Sequence, residues 1–151
     1  MAMKTTDLFP VVDLPGTASA TPKSKKYSPS VYFDYTTGDF LRDGSNRMLE
    51  SNGKDAYIQW CMKACSTERE SFLAYSRDYG VEFEKLARIP DRESRELEIE
   101  RQITDALMVN PATEYVRDFV FRHSGDECHV TFTVKGYAWE EELMATTVKV
   151  G

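Results

Sequence analysis

The side chains of this sequence best suited to hold a metal or to act as nucleophile and base are Cys61, Cys65 and Cys128 with His123 and His129. Cys128 and His129 are neighbours in a β-prone run, and a strand sends successive side chains to opposite faces, so the two cannot point at one ion. A nucleophilic thiol needs a base beside it, and no local motif pairs one of these cysteines with a histidine. Free Cys is among the most buried residue types. Packing cysteines, surface histidines, no metal and no cofactor are therefore the expectation.

Carboxylates offer a second chemistry. Glu68, Glu70, Asp78, Glu82 and Glu84 lie close in sequence, and two carboxyl groups across a cleft, one of them held protonated, could hydrolyse a glycosidic bond. In a chain with 25 Asp+Glu such a cluster arises without any catalytic role. A solvated or salt-bridged acidic surface explains it more simply. The eight glycines are scattered singly, so no Gly-rich loop cradles a phosphate. The residues predict a protein that is not an enzyme.

Thr67-Glu68-Arg69 differs from these. It sets a guanidinium capable of bidentate contact amid Tyr75, Tyr79 and Phe83 at the exit of an apolar helix. Two readings are open: an internal ion pair that fixes the helix exit, and an anchor for a partner chain, since Arg and Tyr are enriched at interface hot spots.

The elements that position these residues follow from periodicity. Residues 31–35 form a short β-prone run, ended at Thr36-Thr37-Gly38-Asp39, with a return strand at Phe40-Leu41. Over residues 53–67, Ala56, Trp60 and Ala64 make one row of a helix and Tyr57, Cys61 and Cys65 the adjacent one, together a broad buried face. Gly80 turns the chain after an aromatic stretch. A second helix is expected over residues 91–109, bounded by Pro90 and by Asn110-Pro111, with Ile99, Ile103, Ala106 and Leu107 as its apolar side. Residues 128–135 alternate apolar and polar, and residues 115–123 and 143–150 are the expected partner strands, with Ser124-Gly125-Asp126 as a hairpin turn. The order predicts an α+β fold: a small, mostly antiparallel sheet packed against two main helices, with an extended N-terminal arm.

Charge divides the 151 residues in the same place. Residues 1–30 carry Lys4, Lys23, Lys25 and Lys26 against Asp7 and Asp13, a net of +2, which leaves residues 31–151 with 15 basic and 23 acidic side chains, a net of −8. The acidic part lacks the basic face that phosphate neutralisation requires, so no direct nucleic-acid partner is expected. No stretch approaches the roughly 20 apolar residues that span a bilayer, and the N-terminus has no signal-peptide layout, so a chain made in a cytoplasm is expected. Four of the six prolines fall in residues 1–30, which makes this stretch an extended, irregular arm. It also holds Leu8, Phe9, Val11, Val12 and Leu14, and is either a disordered leader or an arm that docks on a neighbouring subunit. The expected division is residues 1–30 as arm and residues 31–151 as the α+β domain.

Several stretches, in order along nearly the whole chain, resemble one known family. They are Asp7-Leu8-Phe9-Pro10, residues 28–40 from Ser28-Pro29 to Asp39-Phe40, Ala56-Tyr57-Ile58-Gln59-Trp60, Thr67-Glu68-Arg69, residues 75–82, and Val130-Thr131-Phe132-Thr133-Val134. The sequence is similar in this way to XkdS-like tail proteins of phages and phage-derived particles, which are related to the baseplate wedge proteins that initiate the sheath of contractile tails. The resemblance implies a structural protein in the virion tail baseplate, or in a phage-tail-like particle, made in the bacterial host cytoplasm. It implies multiple copies per baseplate, joining other wedge proteins around the tail tube and nucleating sheath assembly, with wedge, sheath and tube proteins as partners. The wider family uses a Glu-Pro-Arg motif to contact the wedge core; Glu68 and Arg69 stand at the matching positions and the proline is absent.

Candidate partner-binding residues are therefore Glu68 and Arg69, Leu8 and Phe9 on the arm, and Leu143 and Thr147 on the last strand. An exposed edge strand can accept a strand from another chain through main-chain hydrogen bonds. Two other classes of function stay open: a peptidoglycan-cleaving tail lysozyme, and a regulatory binding module on the same fold.

Overall fold

A computed structural model of the chain describes residues 27–151. Leu8, Phe9 and the rest of residues 1–26 lie outside the described residues. The fold is α+β, as expected, with the elements in the anticipated order.

Residues 30–51 form a small antiparallel meander. In it β1 (Ser30–Val31) pairs with β4 (Glu50–Ser51), and β2 (Phe33–Asp34) pairs with β3 (Asp39–Phe40). The Phe33 ring packs edge-on against Phe40 at 5.1 Å and Tyr35 at 4.9 Å. Helix α1 (Lys54–Ser66) follows and buries Ala56, Tyr57, Cys61, Ala64 and Cys65. These are five of the six residues of the two expected rows. Trp60, at the margin of that face, is half-buried with its ring edge against Tyr79.

Helix α2 (Arg92–Met108) starts at Asp91, whose carboxylate accepts from the Ser94 N–H at 2.9 Å, satisfying one of the N–H groups that a helix start leaves free. Ile99, Ile103, Ala106 and Leu107 are fully buried, as the spacing predicts. Gln102 is buried beside them. Its side chain accepts from the Glu82 N–H at 2.8 Å and donates to the Glu82 carbonyl at 3.3 Å, tying α2 to the segment before a 3-10 helix at Phe83–Arg88. The composition does not announce that 3-10 helix.

The C-terminal sheet has the order β5-β6-β7, antiparallel throughout, from β5 (Thr113–Ser124), β6 (Glu127–Gly136) and β7 (Glu142–Lys149). Strict alternation in β6 puts Cys128, Val130, Phe132 and Val134 against the helices, where all four are fully buried, and sends His129, Thr131 and Thr133 to the other face. Strand β5 carries two extra residues relative to β6, one between Thr113 and Tyr115 and one further along. Arg117 faces Thr133 and Val120 faces Thr131, so three steps on β5 match two on β6. Asp118, at φ 59°, absorbs the bulge. The bulge turns Phe119 inward, where it stacks on Phe132 at 5.3 Å.

The core lies between this sheet and the two helices. At one end Tyr27 packs edge-on against Tyr57 at 5.8 Å and Trp139 at 5.5 Å, and its hydroxyl accepts from Asn110 at 2.9 Å. The Tyr57 hydroxyl and the Thr113 hydroxyl share a buried hydrogen bond of 2.6 Å. Burial raises the Tyr57 pKa, with the neighbouring Cys61 adding to the effect.

Candidate partner-binding surfaces

Two surfaces present the singled-out residues. The first begins where α1 ends. Ser66 and Thr67 turn their hydroxyls back onto the carbonyls of Met62 and Lys63, at 2.8 and 2.7 Å, and Thr67 leaves the helix in extended conformation. Residues 67–69 then run beside residues 80–81. The Arg69 N–H donates to the Val81 carbonyl at 2.8 Å and the Val81 N–H donates to the Thr67 carbonyl at 2.9 Å, a parallel bridge that closes the loop between them. Gly80 makes this approach possible. Its φ is +97°, and a Cβ there would stand 2.5 Å from the Thr67 carbonyl oxygen.

Extended backbone sends Glu68 and Arg69 to opposite sides, and no ion pair joins them among the described residues. The internal ion pair, one of the two readings of the motif, is not formed. Instead the Arg69 guanidinium donates through Nη2 to the Gly80 carbonyl at 3.1 Å, clasping the loop from inside, while its Nε is buried without a partner. The Glu68 carboxyl is half-buried. Desolvation first, and then the charge of Glu84, push its pKa up, while the N–H groups of Phe83 and Glu84 at the start of the 3-10 helix oppose the rise.

The loop that this bridge closes carries apolar side chains outward. Leu73 is fully exposed and Phe72 more than half exposed; Phe72 packs edge-on against Tyr75, whose ring lies tilted against that of Tyr79 with centroids 4.7 Å apart. A groove of about 540 Å³ runs beside Glu68, lined by Tyr35, Lys63, Thr67, Phe72 and Tyr75. Sequence reasoning missed Phe72 and Leu73 as surface features. The available signal was an apolar pair among polar residues with no helix or strand period to bury it.

The second surface is the edge of the C-terminal sheet. Strand β7 is last in the sheet and pairs with β6 alone among the described residues. Met144 and Val148 point to the core, whereas Leu143, 69 % exposed, and Thr147 stand on the outer face. Thr147 is opposite His129, with 3.0 Å between its hydroxyl and the His129 Nδ1.

The cysteines stand apart from both surfaces. All three are buried and free. Burial pushes the Cys61 thiol up to about 12 and raises Cys65 and Cys128 as well. Cys128 and His129 occupy opposite faces, as expected. His123, however, faces Cys128 across the hairpin: its Nε2 lies 2.6 Å from Glu96 Oε1 and 3.8 Å from the Cys128 sulfur. The hairpin register around Gly125 could have revealed the His123–Cys128 pair, though not Glu96, which comes from α2. It is not a nucleophile relay, because the ring nitrogen that would take the thiol proton is the one that already meets the carboxylate. Among the described residues no group of three or more His, Cys, Asp and Glu side chains is arranged to hold a metal ion, and no helix is long and apolar enough to cross a membrane.

An edge strand, a closed loop with apolar side chains outward and a shallow groove are the surface features on which the described candidate residues lie. The chain belongs to the family of contractile injection system sheath initiators, whose sequence model matches residues 30–137. It is 32 % identical over 87 residues to the phage-like element PBSX protein XkdS of Bacillus subtilis (strain 168), a match covering 55 % of this chain and 60 % of that protein. The chain thus spans about 60 % of the curated relative's length. Family membership makes it a structural protein of a contractile tail.

Proposed function

We propose that this chain joins wedge proteins around the tail tube of a contractile phage tail or phage-tail-like particle and offers β7 as the template on which the first sheath ring forms. It acts in multiple copies per baseplate and without catalysis. The observation that carries this reading is the position of β7: a strand with a solvated outer edge and exposed Leu143 can extend its sheet with a strand from another chain, main-chain bonds supplying affinity and outer side chains selectivity. Membership of the sheath-initiator family supports it.

In the same reading the loop around Glu68 and Arg69 meets the wedge proteins, and residues 1–30 form an arm that reaches another baseplate subunit from the domain at residues 31–151. Reconstituted baseplate assembly, scored by sheath-bearing particles in electron micrographs, tests each part. Leu143→Lys should leave the fold intact and stop sheath growth, because a charge on an edge strand opposes pairing. Arg69→Ala should weaken wedge binding while costing the fold only the about 1–2 kcal/mol of one lost hydrogen bond. Deleting residues 1–26, which keeps Tyr27 on Tyr57 and Trp139, should leave a folded domain that enters particles poorly. Normal sheathed particles from Leu143→Lys would overturn the template role.

A further inference from the structure

The C-terminal sheet has two edges, and they are built differently. Strand β7 matches β6 residue for residue from Glu142 to Lys149, with no bulge and no left-handed residue. Strand β5 is broken twice, between Thr113 and Tyr115 and between Arg117 and Val120, and at the second break Asp118 stands at φ 59°. Left-handed backbone is unfavourable for a residue with a Cβ. Arg117 and Asp118, both exposed, set opposite charges beside the break, with Arg117 Nε 3.4 Å from Asp118 Oδ2. From Glu114 to Ser124 the backbone of β5 bonds to no backbone but that of β6 among the described residues.

Core packing does not call for the extra residue at the second break. In a β5 shortened by Asp118, Arg117 would still face Thr133 and Val120 would still face Thr131, and Phe119 would take the single inward place between them, opposite Phe132. Every side chain would keep its face. What the extra residue changes is the free edge, because a bulge bends its strand and raises the local twist, so that a straight strand cannot match it along its length. Without the bulge one molecule would offer a straight edge along most of β5 as well as along β7. The β7 of one copy could then join the β5 of the next with the helices on the same side, and each copy added would present a fresh β7. Such a head-to-tail contact does not close, and it grows into a fibre.

We propose that the bulge at Asp118 is a guard: it keeps β5 from accepting the β7 of a second copy, so that strands add to this sheet at β7 alone. The guard stands independently of what β7 binds. Its consequence, a β7 kept free for the sheath, rests on the assembly reading.

The experiment is analytical ultracentrifugation of the full chain at several concentrations, wild type against a variant lacking Asp118, with amide protection along β6 as the check on the fold. Expected is a deletion variant whose mass climbs with concentration past that of a closed dimer. Wild type should not climb in this way, and neither should Asp118→Gly, which keeps the bulge because glycine suits a φ of 59°. Adding Leu143→Lys to the deletion should stop the growth, since growth needs β7 as well. Four outcomes would overturn the proposal: a deletion variant that sediments as wild type does; growth that survives Leu143→Lys; growth in Asp118→Gly, which would assign the guarding to the charge; and lost β6 protection in the deletion variant, which would mean that the core needs the extra residue. None of these outcomes bears on sheath growth from β7.

Discussion

Replacing Gly80 with alanine should open the loop that presents Glu68, Phe72 and Leu73. The added Cβ would stand 2.5 Å from the Thr67 carbonyl oxygen and 3.3 Å from the Arg69 nitrogen, both backbone atoms that cannot swing aside as a flexible side chain would. The φ of +97° adds a left-handed strain of about 1–2 kcal/mol for a residue with a Cβ. Relieving the overlap by moving backbone costs about 1–3 kcal/mol more. The sum, about 2–5 kcal/mol, equals or exceeds the about 2 kcal/mol that the bridge contributes through its two hydrogen bonds at about 1 kcal/mol net each. The loop should therefore detach rather than the domain unfold. Hydrogen exchange resolves the two cases: the Arg69 and Val81 amides should lose most of their protection while the amides of β6 keep theirs. Urea unfolding should show a lowered midpoint. Wild-type protection at Arg69 and Val81 in Gly80→Ala would refute the argument, since it would mean that the close approach of residues 67 and 80 is not what the glycine permits.

Three further outcomes follow from the core and its charges. Phe132→Ala removes a fully buried ring stacked between β6 and β5, and should cost about 3–5 kcal/mol in chemical denaturation; a loss below about 1 kcal/mol would mean that the core is not organised around β6. Because burial raises all three thiols, Cys61 up to about 12, the native chain at mildly alkaline pH should resist iodoacetamide, and the denatured chain should take three labels by intact mass. The His123 contact, with Arg92 assisting, holds the Glu96 carboxyl below the usual range, so the pair's contribution is present above the ordinary glutamate value of about 4.3 and lost as pH falls through the depressed one. Denaturation midpoints of His123→Gln should accordingly fall less steeply than wild type in that acid range, and parallel curves would refute the contact.

Most of the fold was legible because its signals are local. The apolar spacing of α2, its bounds at Pro90 and Asn110-Pro111, and the turn at Ser124-Gly125-Asp126 each depend on residues within a few positions of one another. The alternation of β6 also foretold that Cys128 and His129 would part, which disposed of a metal site built on that pair. Phe72 and Leu73 escaped notice because an exposed loop has no period to read. The Glu68-Arg69 motif was found but its internal reading was not met: adjacency in sequence suggested a pair, whereas extended backbone separates adjacent side chains.

The sequence by itself determined the two α-helices and the three C-terminal strands, their order, the faces they bury and the division of charge between the first thirty residues and the rest. Only tertiary structure decided that Gly80 lies against Thr67, that the bulge at Asp118 turns Phe119 onto Phe132, that His123 meets Glu96, and that β7 ends the sheet. Periodicity and capping are properties of neighbouring residues. The distance between residues far apart in the chain is settled only when all the buried faces pack at once.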